Sequence, residues 1–118
     1  MAAGRPDLNS ATGIARAFTA GAVSARDIVE RTLDRCAAAA PFNPIATLDA
    51  DGARATADAL DKRRASAGGG AFGPLAAVPF SAKDLILTKG LRTAFGSLTQ
   101  ADNVPAVDAD AIAQLRAA

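Results

Sequence analysis

GPLAAVPFSAKDLILTKGLRTAFGS, Gly73 to Ser97, is the stretch on which the reading of this chain turns. A Gly-Pro turn opens an apolar run, Leu75-Ala76-Ala77-Val78-Pro79-Phe80. One lysine, Lys83, follows it, directly before Asp84 and the apolar Leu85-Ile86-Leu87. The run predicts a central strand over residues 77–83. Pro79 cannot donate a ladder hydrogen bond, so it predicts a bulge or strand end near the lysine. An amine carried into an apolar interior is costly to keep charged, and a neutral lysine is a general base. The same pattern fits a lysine that ends an edge strand and extends its ammonium to water. Spacing alone leaves both readings standing.

The wider window carries more. Gly73, Pro74, Leu75, Val78, Pro79, Phe80, Lys83 and Asp84, then Gly90, Thr93, Gly96 and Ser97, fall in register with two joined patterns. These are G-P-L-x-G-(V/I)-P-(F/V/I)-x-(V/I/L)-K-D and G-x-x-T-x-x-G-S, and the stretch resembles the amidase signature family that bears them. Two positions depart from the pattern. Ala77 stands where the family usually has glycine, and Ala82 where it has a larger aliphatic. Further on, Asp108, Ala109, Ile112, Leu115, Arg116 and Ala118 match a second run, D-A-x-x-(V/I)-x-x-L-R-x-A.

The resemblance implies an α/β fold of helices packed on a mixed β-sheet. Residues 1–118 would form the N-terminal part of a single amidase-like domain. Within it, 1–66 would be mainly helical, and 73–118 would hold the lysine strand, a loop and a following helix. The family's chemistry is hydrolysis of a carboxamide to an acid and ammonia or amine by a Ser–Ser–Lys triad. Lys83 is the implied base, taking a proton from a bridging serine that in turn activates the nucleophilic serine. Backbone donors of a glycine- and serine-rich loop would hold the oxyanion. Both serines and that loop lie further along the family's chain. None of Ser10, Ser24, Ser66, Ser81 or Ser97 sits in a Gly-Gly-Ser-Ser context, so none is assigned as nucleophile. Thr93 and Ser97 read first as turn residues, with a donor role near the pocket as the alternative.

Composition narrows the field. Of 118 residues half are hydrophobic, but 32 are alanine and only 25 are Leu, Ile, Val or Phe. Burial of a large apolar side chain stabilises by roughly 1.5–3 kcal/mol and alanine brings far less, which predicts a thin core that leans on further sequence. A net charge of +1 gives no electrostatic footprint for nucleic acid. With no His and one Cys the usual zinc ligand sets cannot be assembled. Cys36 reads as a buried apolar residue of a helix. No apolar run reaches membrane length and the first ten residues lack a signal core. The expectation is a cytoplasmic protein with no cofactor or metal. Its partner would be a small-molecule amide substrate in the full-length enzyme, with a homodimer left open.

Four helices are predicted. The first runs from an N-cap at Ser10 to near Gly21, with Ile14 and Phe18 as its apolar stripe. The second, Ser24–Ala40, turns Ile28, Val29, Leu33 and Cys36 to one face and Arg26, Glu30, Arg31 and Asp34 largely to the other, with Pro41 as its stop. The third runs from about Asp51 to Ala65, with Ala53, Ala57, Leu60 and Arg64 on one side and Asp58–Lys62 as an exposed pair. Lys62-Arg63-Arg64 complements its C-terminal dipole. The fourth spans Asp108–Ala118, capped by Asp108, with Ile112 and Leu115 inward. A short strand is expected at Ile45–Leu48. Gly68, Gly70 and Gly73 spell G-x-G-x-x-G, but a helix precedes it and Pro74 with an apolar run follows, the reverse of the order a dinucleotide site needs.

The last helix reaches Ala118 without a C-cap, which reads as a truncated chain rather than a naturally short, helix-rich interaction module. Lys83-Asp84-Leu85 resembles general amidases more than the A chain of tRNA-dependent amidotransferases, where Lys-Asp-Asn is the more typical sequence.

Overall fold

Ser10 starts the first helix as its sequence requires. The computed structural model describes residues 5–66 and 70–118, so Gly68 and Gly69 of the glycine run lie outside the described residues. Ser10 Oγ accepts the Gly13 N–H at 3.1 Å and opens α1, Ala11–Thr19. The Asp7 carboxylate holds the Ser10 hydroxyl in turn. Phe18 is completely buried, and Ile14 packs beside the same core. The helix ends through Ala20, and Gly21 takes a left-handed φ of 73°, which glycine adopts without steric cost.

Helix α2, Ala25–Ala38, begins at Ser24, whose Oγ accepts the Asp27 N–H at 2.9 Å. Its remaining free donors are taken from another element. Asp61 on α3 (Ala50–Ala65) accepts the N–H groups of Ala25 and Arg26 at 2.8 and 3.0 Å. Pro41 sits in a 3-10 turn, Ala40–Phe42, so the helix stops two residues before the expected Ala40. Cys36 is half-buried rather than buried.

Helix α3 is capped by Asp49, whose Oδ1 accepts the Gly52 N–H at 3.1 Å. Its small apolar side, with Ala57 buried and Leu60 packed on the core, lies along α2. The basic cluster at its end does more than complement a dipole. Arg64 Nη1 donates to the carbonyls of Phe18 and Val23 at 2.6 and 2.7 Å, with its guanidinium 4.5 Å from the Phe18 ring centroid. Arg63 donates to the Ala71 carbonyl at 2.8 Å and lies 4.6 Å above Phe72. Phe72 meets Phe18 edge to face at 5.1 Å. These contacts seal the core of Phe18, Ala25, Ile28, Ala57 and Ala76.

The supposed solvent face of α2 is partly an interface. Arg26 Nε donates to Glu30 at 2.7 Å, and Arg54 on α3 donates to the same carboxylate at 2.9 Å. Arg26 also reaches Asp58 at 3.0 Å. Asp58 is thus paired with Arg26 across the helices and not with Lys62, correcting the expected pair within α3. Ala25, Ile28 and Ala57 are buried where the two helices meet, and the long charged side chains pair beside them.

No strand forms among the described residues. The strands expected at Ile45–Leu48 and over 77–83 are absent, and the mixed sheet with them. A strand requires a neighbour to complete its ladder, and neither segment has one. Their polar groups go elsewhere: Arg92 donates to the Ala46 carbonyl at 3.2 Å, and the Val78 N–H donates to the Leu75 carbonyl at 3.0 Å. Gly73 lies against the Ala118 carbonyl, where a Cβ would overlap it.

Beyond Lys83 the chain is held by cross-links between irregular segments. Gly90 N–H donates to the Pro105 carbonyl at 3.0 Å, Thr93 N–H to Asn103 at 2.9 Å, and Ala109 N–H to Leu87 at 2.8 Å. Helix α4 is Asp110–Ala117, and its N-cap is Ala109, not Asp108. The Asp108 carboxylate is occupied by the Lys89 N–H at 2.7 Å and by Arg116 at 3.1 Å. Ile112 is buried as expected, whereas Leu115 is 38% exposed. No described helix is long and apolar enough to cross a membrane.

The result is extended, 57 × 33 × 20 Å, with a radius of gyration of 15.7 Å against about 13.5 Å for a compact domain of this length. Its accessible surface, 7962 Å², exceeds the roughly 5,900 Å² of a closed monomer of this mass. Phe80, Leu85, Phe95 and Leu98 account for part of the excess, all exposed and all near the lysine in sequence.

Candidate active site

The approach to Lys83 is shaped by turns. Ala77 holds φ at +61° within the turn closed by Leu75 and Val78. This is the left-handed conformation that glycine takes freely and other residues take at a cost. The alanine at the family's glycine position therefore keeps a glycine's backbone. Val78 to Lys83 then run without regular structure, and the Lys83 carbonyl accepts the N–H groups of Leu85 and Ile86 at 2.7 and 2.9 Å.

Lys83 itself is exposed. Among the described residues its ammonium takes part in no hydrogen bond or ion pair, so the apolar run delivers it to the surface and not into an interior. The residue after it is firmly placed. Asp84 Oδ1 accepts the Ala94 N–H at 2.8 Å, and the Asp84 carbonyl accepts the Phe95 N–H at 2.8 Å. One residue thus clamps two consecutive amides, ten and eleven positions further on.

The clamped segment is anchored beneath. Thr93 and Ala94 are buried, and Asn103 Nδ2 donates to the Thr93 carbonyl at 2.9 Å. Thr93 Oγ1 donates to the Leu91 carbonyl at 3.2 Å, and the Ser97 hydroxyl is shared with Thr99 at 2.8 Å. Both hydroxyls are engaged within their own turns, and neither is bonded to Lys83. Phe95 and Gly96, with φ of 55° and 66°, turn the chain sharply between them.

The other hydroxyls are similarly committed. Ser10 and Ser24 cap helices, and Ser66 donates to the Arg63 carbonyl at 2.7 Å. Ser81 is exposed two residues before Lys83. Two open grooves run along α1, lined among others by Asp7, Ser10, Arg16, Phe72 and Pro74; Lys83 lines neither. Among the described residues no group of three His, Cys, Asp or Glu side chains is placed to hold a metal ion. Sequence reasoning singled out Lys83 and passed over Asp84, whose partners lie too far along the chain for local spacing to reveal.

Comparison with known proteins agrees with the pattern around the lysine. Residues 27–118 match the family described as Amidase. Over 103 residues the chain is 40% identical to the A chain of the glutamyl-tRNA(Gln) amidotransferase of Roseiflexus sp. (strain RS-1), covering 86% of this chain and 20% of that protein. A protein of the same name from Acidothermus cellulolyticus is 37% identical over 108 residues, 91% of this chain and 21% of its own. Another, from Symbiobacterium thermophilum, is 40% identical over 110 residues, 92% and 22% respectively. The chain spans about a fifth of the length of these curated relatives. No solved structure matches it. A family match that takes in α2, α3, the Lys83-Asp84 stretch and α4 places the chain in the amidase family.

Proposed function

We propose that this chain supplies the lysine base, Lys83, of an amidase-family centre that cleaves a carboxamide to an acid and ammonia or amine. The observation that carries the reading is the Lys83-Asp84 stretch lying in register with the family pattern inside the matched residues 27–118. The seryl nucleophile, the bridging serine and the oxyanion donors would come from the part of the family's chain that follows. That part would also pair residues 77–83 into a mixed sheet and cover Phe80, Leu85 and Phe95. Enclosure of Lys83 would then favour its neutral form, the state in which an amine accepts a proton.

A second reading makes the chain part of the A chain of a tRNA-dependent amidotransferase. It is favoured by the shared name of the relatives above, and Leu85 in place of asparagine speaks for the general amidase. The experiment replaces the matching segment of the Roseiflexus relative with residues 27–118 and assembles the chimera with the other chains of that amidotransferase. Amidation of glutamyl-tRNA(Gln) and ammonia release from free amides are then measured separately, which tells the two readings apart. Lys83→Ala and Lys83→Arg are both expected to lose turnover by about 10³-fold or more, because arginine stays protonated and cannot act as a base. Near-normal turnover of Lys83→Arg would remove Lys83 from the mechanism.

A further inference from the structure

We propose that Asp84 is a positioning residue for Lys83, an inference that rests on Lys83 being the base. The lysine side chain is long and exposed, and among the described residues its ammonium makes no hydrogen bond or ion pair to hold it. What limits its reach is the backbone from which it springs. On the side towards Ala82 that backbone has no ladder partner among the described residues, and on the other side it enters Asp84. Asp84 bonds twice, at 2.8 Å through its carboxylate to Ala94 and at 2.8 Å through its carbonyl to Phe95. Ala94 follows Thr93, which is 2% exposed and bonded to Asn103 through both its N–H and its carbonyl at 2.9 Å.

A chain of short bonds therefore runs from Asn103 through Thr93 and Ala94 to the residue beside the lysine. The carboxylate bond is the only link of that chain made by a side chain of the Lys83 segment, and it is charge-assisted. Without it, the Lys83 Cα moves with a loop tied to residues 94–95 by the Asp84 carbonyl alone. A displacement of about 1 Å at a reacting group costs on the order of 10²-fold in rate. The role is geometric, and the negative charge beside an amine is incidental to it.

Three substitutions separate geometry from charge. Asn at 84 keeps an oxygen that can accept the Ala94 N–H and removes the charge. Glu keeps the charge and moves it by one methylene. Ala removes both. In the chimera described above, Asp84→Ala and Asp84→Glu are expected to lower kcat by about 10²-fold while KM stays within about 3-fold. Asp84→Asn is expected to stay within about 10-fold of the parent. In the 118-residue chain itself, hydrogen exchange at the Ala94 amide should speed up by about 10-fold or more in the Ala and Glu variants and little in Asn. The inference is overturned by an Asp84→Asn variant as slow as Asp84→Ala, by an unchanged kcat in Asp84→Ala, or by an Ala94 amide indifferent to all three. If Asp84→Ala does not fold, the contrast of Glu against Asn decides. A chimera with no turnover, or one that tolerates Lys83→Ala, fails at the base itself and takes this inference with it. Turnover that needs Lys83 but ignores Asp84 removes the positioning role alone.

Discussion

The carboxylate of Asp61 receives the N–H of Ala25 at 2.8 Å, joining the last turns of α3 to the first residue of α2 across 36 positions of sequence. The same carboxylate takes the Arg26 N–H at 3.0 Å. It therefore caps α2 from outside, beside Ser24 capping it from within. An acidic group at a helix N-terminus also meets the positive end of the dipole. Asp61→Ala leaves two donors of α2 without a protein acceptor and is expected to destabilise the chain by about 1–2 kcal/mol. Asp61→Asn, which keeps one acceptor, should lose about half as much. Urea denaturation followed by helical circular dichroism measures both, and an unchanged midpoint for Asp61→Ala would show the bonds to be dispensable.

Acid should weaken the same helix pair through Glu30. Its carboxyl is held at about 2, below the ordinary 4.5, first by the hydrogen bond from Arg54 and then by that from Arg26. A carboxylate depressed in the folded state contributes fully above its unfolded value and loses the contribution as pH falls through its folded value. The stabilisation is thus complete above about pH 5 and is lost progressively as the pH falls to about 1, below both values. The side chains of the cluster are 35–42% exposed, so added salt should shrink the effect. Glu30→Gln should flatten the stability profile between those pH values. A carbon-13 titration of the Glu30 carboxyl with a midpoint near the ordinary value would contradict the prediction.

The sequence is most legible where one residue sets one local feature. Ser10 and Ser24 cap the helices they are expected to cap, and Phe18, Ile28 and Ala57 are buried where their spacing puts them. It is least legible where a partner lies far along the chain. Nothing near Asp61, Asp58 or Arg64 announces a bond to Ala25, Arg26 or Phe18, because such pairs depend on how two helices meet. The expected strand at 77–83 fails for a related reason. Apolar runs state what a segment can do, but pairing requires a second strand, and the described residues offer none. At the candidate site Lys83 is legible from its pattern, while Asp84 is not, since its carboxylate and carbonyl act on Ala94 and Phe95.

Ala77 is a place where the sequence departs from its family pattern and the backbone does not. At φ +61° the alanine Cβ crowds the following carbonyl. Glycine removes that crowding but adds freedom to the unfolded chain. The balance predicts that Ala77→Gly stabilises by roughly 0.5–1 kcal/mol. Ala77→Val, branched at Cβ, should destabilise by more than the glycine gains. Urea midpoints of the three proteins decide the matter. A lower midpoint for Ala77→Gly would mean that the turn is not strained at this residue.

The purified 118-residue chain is expected to hydrolyse no amide. A lysine base accelerates proton transfer by about 10²–10⁴-fold when a nucleophile is placed within its reach, and among the described residues no such hydroxyl is in place. Ser10 and Ser24 are spent on helix caps, Ser66 on the Arg63 carbonyl and Ser97 on Thr99. Ser81 is close to Lys83 in sequence, but it is exposed, and no hydrogen bond among the described residues holds it for attack or for the oxyanion that would follow. Stabilising that oxyanion is usually the largest part of acyl-transfer catalysis. Ammonia release from simple carboxamides should therefore equal the buffer blank, for the native chain and for Lys83→Ala alike. Turnover above the blank that disappears in Lys83→Ala would show that a nucleophile lies within these residues. Ser81→Ala would then be the variant to make first.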